Sequence, residues 1–78
     1  MTSAMQIGYR YGSEIIYVEH DPVGYVVKMS NHNGKRIAFM GPQGTREAMQ
    51  AKLDRWARKY GYAPVIIDQD GKEVRGLE

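Results

Sequence analysis

Two histidines, nine acidic side chains and no cysteine bound the chemistry open to this chain of 78 residues. Glu19-His20-Asp21 sets three metal-ligand types in a row, but neighbours on a strand point to opposite faces and do not converge on one ion. His20 and His32 both fall in turns, where a solvated hairpin residue is the preferred reading. Ser13 and Ser30 have no evident base partner, so a nucleophile–base pair is unsupported. Asp68-Gln69-Asp70-Gly71 begins like a calcium loop, yet the third acidic position and the closing bidentate glutamate are missing at the required spacing, which leaves a plain turn. Gly41-Pro42-Gln43-Gly44-Thr45 joins a strand to a helix start, where free N–H groups favour an anion. It is too short for a P-loop and lacks the lysine before the threonine. Arg46 would reinforce a phosphate or carboxylate there, although a simple cap is preferred. No catalytic residue, metal ligand or cofactor is assigned, and an enzyme is not expected.

Charge offers more than catalysis does. Lys52, Arg55, Arg58 and Lys59 lie on the outer face of a helix, with Asp54 placed to pair with Arg58 at i, i+4. Together with Lys35 and Arg46, these are the expected contacts for a polyanion.

Few elements are available to position these groups. Residues 44–61 spell one amphipathic helix with both ends written in. Met49, Leu53, Trp56 and Tyr60 recur at i, i+4, i+7 and i+11 and so share one stripe. Thr45 caps the first turn, Gly61 supplies a left-handed end, and Pro64 prevents resumption. Ahead of the helix, Ile7, Tyr9 and Tyr11 alternate with Gly8 and Arg10 in a short strand or extended arm, and residues 1–4 read as a loose end. Residues 14–19, 25–30 and 35–40 read as three more strands, the first two joined by Asp21-Pro22-Val23-Gly24. After the helix, Val65-Ile66-Ile67 is a short buried strand, and Asp70-Gly71 signals a hairpin that returns Glu73-Val74 beside it. The expected class is α+β: an antiparallel sheet of three to five strands, one amphipathic helix packed on one face, order (β)βββαβ.

Register follows from where apolar residues must go. Pairing Asp21 with Gly24 sets Val18 opposite Val27 and Ile16 opposite Met29. A three-residue loop, His32-Asn33-Gly34, with glycine left-handed at a bulge, sets Val27 opposite Phe39 and Met29 opposite Ile37. A two-residue loop at Asn33-Gly34 would oppose Lys28 and Phe39, so the first register is preferred. Ile16, Val18, Val27, Met29, Ile37 and Phe39 then form the face that the helix covers. Ile15, Tyr17, Val26, Lys28, Arg36, Ala38 and Met40 fall on the other face, which is more apolar than a sheet open to water should be. Either it meets another chain or a nucleic acid, or the arm at Ile7, Tyr9 and Tyr11, or the terminal strand, folds over it.

The length suits one small domain over residues 1–78 with modest stability. A 42% hydrophobic and 26% charged composition argues against disorder. The lack of cysteine suits a reducing cytoplasm, which is the expected location. No apolar run approaches the ~18–20 residues of a membrane span, and the N-terminus lacks the order of a signal peptide. A net charge of +2 allows a polyanion partner without demanding one. Leu77-Glu78 reads equally as a cloning remnant or as native sequence, and no element is assigned to it.

Tyr25-Val26-Val27, Asn33-Gly34-Lys35-Arg36, Gly41, Thr45-Arg46-Glu47-Ala48 and Trp56 have a layout that resembles the three-strand-plus-helix DNA-binding domains of plant ethylene-response factors and of tyrosine recombinase arm-binding modules. The resemblance implies a sheet that enters the major groove with the helix behind it, Lys28 and Arg36 facing DNA and Lys35 on a backbone phosphate. Val26, Ala38 and Met40 stand where such domains place arginine or other polar side chains, and the net charge is low for that role. In size and style the chain is also similar to phage and mobile-element accessory proteins, including anti-CRISPR proteins. The expected function is a non-enzymatic module that binds a protein or ribonucleoprotein partner through Tyr17, Val26, Lys28, Arg36, Ala38 and Met40. DNA binding by the three-stranded sheet is the alternative, and self-association through the open sheet is a further outlet. No membrane partner is expected.

Overall fold

The computed structural model describes residues 5–31, 34–37, 40–68 and 71–76, and of residues 35–37 the backbone alone. Four strands come first: β1 (Gln6–Tyr11), β2 (Glu14–Asp21), β3 (Gly24–Asn31) and β4 (Gly34–Ile37). The helix α1 (Arg46–Tyr60) follows, then β5 (Ala63–Ile67) and β6 (Glu73–Gly76). Every neighbouring pair is antiparallel, in the spatial order β4-β3-β2-β1-β5-β6. The α+β class expected from the strand and helix patterns is the one found, with the return at Glu73 adding a sixth strand.

The helix ends where its sequence says. Thr45 Oγ1 accepts from the Ala48 N–H at 3.1 Å, satisfying one of the free donors of the first turn. Gly61 takes the left-handed conformation (φ 77°, ψ 23°), and the Tyr62 N–H reaches back to the Ala57 carbonyl at 2.9 Å. The fully buried line along the helix is Met49, Leu53 and Ala57. Trp56 flanks it half-buried, and Tyr60 is 52% exposed. The expected stripe thus gives way to Ala57 in the last turns. A methyl fits beneath a helix lying close on a sheet, whereas an indole packs at the margin.

The β2–β3 register is as expected, with Asp21 opposite Gly24, Val18 opposite Val27 and Ile16 opposite Met29. These residues, with Met49 and Leu53, make the core between sheet and helix. Gly24 has φ +127°, and a Cβ there would lie 2.8 Å from the Gln43 carbonyl oxygen. That close approach lets Tyr25 and Gln43 exchange two backbone hydrogen bonds, which tie the strand-to-helix connection to β3.

The β3–β4 register differs from the expected one. The pairs are Asn31–Gly34, Ser30–Lys35, Met29–Arg36 and Lys28–Ile37, so that two residues separate the paired ends. The slip is one residue, which exchanges the faces of β4. Phe39, expected opposite Val27, lies outside the described residues. Met40, expected on the outer face, is buried in the helix-side core beside Met49 and Leu53. The physical reason is that a two-residue loop suits strand twist, while a four-residue edge strand buries too little to pull the pairing elsewhere.

The outer face of the sheet is covered at Tyr17. Tyr17 is 0% exposed and forms a second apolar cluster with Val65 and Ile67, Ile15 packing against it. β1 lies between β2 and β5, and its Gly8, opposite Val65, has no side chain to keep these residues apart. The space is already taken: a Cβ at Gly8 would stand 2.9 Å from the Ile16 carbonyl oxygen and 3.0 Å from Ile67 Cδ1. Gly71, after β5, sits directly on the Tyr17 ring. Of the two expected covers, the terminal strand pair is the one that folds over, while the Ile7–Tyr11 segment is an internal strand of the sheet.

Candidate functional site

Burial changes the reading of the residues expected to meet a partner on the outer face. Tyr17, Val26 and Met40 are buried and offer no surface. Lys28 is mostly covered, its Nζ 3.5 Å from Asp21 Oδ1 and 3.7 Å from Glu19 Oε2. Lys35 and Arg36 lie on edge strand β4, opposite Ser30 and Met29. Ala38 lies outside the described residues, as does His32.

Arg46 is engaged within the fold. Its Nη1 donates to Gln6 Oε1 at 3.1 Å and to the Val18 carbonyl at 3.3 Å, and its guanidinium stands 5.3 Å from the Tyr25 ring centroid. It therefore brackets the helix start against the sheet. Asp54, expected to pair with Arg58, accepts from the Tyr9 hydroxyl at 2.6 Å and from Gln50 at 2.9 Å. Burial first, and the bond to the Asp54 carboxylate second, push the Tyr9 phenol up to about 12. A shallow open recess of about 380 Å³ lies beside this group, lined by Gln6, Arg46, Glu47, Gln50, Ala51 and Asp54. Among the described residues, no three His, Asp or Glu side chains come together so as to hold a metal ion.

The remaining basic residues of the helix divide by their spacing. Lys52, Arg55 and Lys59, at i, i+3 and i+7, share one flank, while Arg58 shares the opposite flank with Glu47 and Asp54. Arg55, Arg58 and Lys59 are exposed.

The feature that sequence reading missed is a row of four touching rings at the C-terminal end of the helix. Ring centroids are 4.8 Å apart for Tyr60 and Trp56, 5.0 Å for Trp56 and Tyr62, and 5.2 Å for Tyr62 and Tyr11, all tilted. The inner two are half-buried, while Tyr60 at one end is 52% exposed and Tyr11 at the other is 61% exposed. Lys59 Nζ stands 5.5 Å over the Tyr60 ring. Tyr62 donates to Glu14 Oε1 at 3.2 Å, and burial together with that bond raises its pKa. Three pieces of backbone deliver these rings to one place. The end of β1 carries Tyr11, the helix terminus carries Trp56 and Tyr60, and the step into β5 carries Tyr62. Pairing of Arg10 with Ala63 brings the first and last together.

A partial signal was present in Tyr60-Gly61-Tyr62 and Tyr11-Gly12, aromatics placed at chain reversals. Nothing local says that the two reversals meet. No protein-family model, curated protein or solved structure matches the chain. Among the described residues, no helix is long and apolar enough to cross a membrane.

Proposed function

We propose that this chain is a non-enzymatic binding module that holds a protein or ribonucleoprotein partner through its aromatic end. The observation that carries the reading is the pair of tyrosines, 52% and 61% exposed, at the two ends of a four-ring row. Large rings left in water beside cations are enriched where another molecule docks, since they supply contact area at low cost in side-chain entropy. The polar groups that do converge, Tyr9 with Asp54 and Tyr62 with Glu14, brace elements against one another. Such a surface would also serve the accessory or inhibitor role suggested by size and style. The alternative of DNA binding through the sheet is weakened by the burial of Tyr17 and Val26 and by the two carboxylates beside Lys28.

The test is capture of a partner from the native host by the tagged chain and by a Tyr11→Ser, Tyr60→Ser variant, each with and without nuclease. Both substitutions are at exposed positions, so the variant should keep the parent circular dichroism spectrum. The expected outcome is a component retained by the parent and lost by the variant. Equal retention by both would remove the aromatic end as the binding surface.

A further inference from the structure

We infer that the aromatic end takes a single-stranded polynucleotide, RNA or DNA, with bases stacked on Tyr60 and Tyr11 and phosphates held by Lys52, Arg55 and Lys59. This rests on the reading of that end as a binding surface and names the chemistry it binds. Tyr60 and Trp56 continue the helix stripe that Met49 and Leu53 begin, and the cationic flank Lys52–Arg55–Lys59 runs directly beside that stripe. The arrangement therefore sets the two helix-borne rings, Trp56 and Tyr60, beside a line of positive charge on the same helix. At 1.5 Å per residue, the three cations span about 10 Å along the helix. That is about three stacked nucleotides at 3.4 Å each. Lys59 already stands over the Tyr60 ring, so one ring face and one cation meet at the same point.

Charge and rings together decide between ligands. A peptide of Asp and Glu alone would satisfy the cations and leave the ring faces uncovered. A polynucleotide uses both, because each nucleotide brings one phosphate and one π-face. In a duplex the base faces are already stacked on one another, and exposed tyrosines cannot reach them. The occupant is therefore single-stranded. Its recognition is tolerant of sequence, since stacking is available to every base.

Trp56 is the one tryptophan of the chain and its ring touches Tyr60, so its fluorescence reports events at the site. The full chain is titrated with oligouridylate and oligothymidylate of about twelve nucleotides, a length within the usual site sizes. A duplex of the same length and polyglutamate serve as controls. Both single strands should quench Trp56 and bind more tightly than duplex or polyglutamate. Preference between the two reports whether the 2′-hydroxyl is read. Tyr60→Leu or Tyr11→Leu should each weaken binding about 5- to 100-fold, whereas Tyr60→Phe should keep it. The plot of log affinity against log salt should slope at about −2 for three phosphate contacts, and Arg55→Gln should flatten it by about 0.7.

Equal binding of duplex or polyglutamate, or full affinity in both leucine variants, would overturn the inference. If neither single strand binds at low salt while the serine variant still loses its captured partner, the inference falls and the binding surface stands. If the serine variant keeps its partner and neither strand binds, both fall.

Discussion

Gly71→Ala adds one methyl group where the turn between β5 and β6 rests on the sheet. Two costs arise there, and they can be separated. Gly71 has φ +81°, a left-handed conformation that costs an L-residue about 1–2 kcal/mol. The new Cβ would also stand 2.7 Å from the Tyr17 hydroxyl oxygen and closer still to the ring carbons. Tyr17 is 0% exposed and has no free space to enter, so an overpacking cost of about 1–3 kcal/mol follows. The total is about 2–5 kcal/mol, a large part of the stability of a domain this small. Gly12→Ala is the control, because φ is +61° there and no atom lies within 4 Å of the new Cβ. It should show the conformational cost alone, about 1–2 kcal/mol. The assay is urea unfolding of the parent, both alanine variants, Tyr17→Leu, and the Tyr17→Leu, Gly71→Ala double variant. In the leucine background, Gly71→Ala should fall to the Gly12→Ala value, leaving a coupling of about 1–3 kcal/mol between the two positions. If Gly71→Ala costs no more than Gly12→Ala, or costs the same in both backgrounds, the turn does not sit on Tyr17. Cover of Tyr17 would then rest on Val65 and Ile67 alone.

Leu53→Ala should cost about 2–5 kcal/mol by thermal or urea unfolding, since Leu53 is 0% exposed between sheet and helix. Trp56→Ala, though a larger deletion, should cost less than the ~3–5 kcal/mol of a fully buried tryptophan, because the indole sits at the margin of the core; a Trp56 cost above that of Leu53 would reverse their placing. Ultraviolet titration of the phenols should show one group near pH 12 that is missing in Tyr9→Phe, and Asp54→Asn should lower it while leaving it above 10, since burial is the larger cause. Because the folded pKa is the higher one, the contribution of Tyr9 is fully present below pH 10 and lost as pH rises towards 12, so the parent should lose more stability across that window than Tyr9→Phe. An identical pH dependence in the two would show that the Tyr9–Asp54 bond does not form in solution.

Short-range determinants were legible in the order of residues. Thr45 and Gly61 mark the helix ends because a cap and a left-handed terminus act within a turn of themselves. The Asp21–Gly24 pairing of β2 with β3 was also readable, since two eight-residue strands with matched apolar residues allow one good register. The β3–β4 pairing was not, because a four-residue edge strand is placed by its loop more than by burial. Tertiary structure alone decided what covers Tyr17. Alternation assigns a residue to a face but does not say which later segment returns to that face, and here Val65, Ile67 and Gly71 meet Tyr17 across the bare backbone of Gly8. It decided the candidate site in the same way. Tyr11 and Tyr62 are separated by most of the chain, and they touch only because β5 joins the free edge of β1. A surface built from the ends of three elements has no period of its own in the sequence, so its residues read singly as turn tyrosines until the strands are paired.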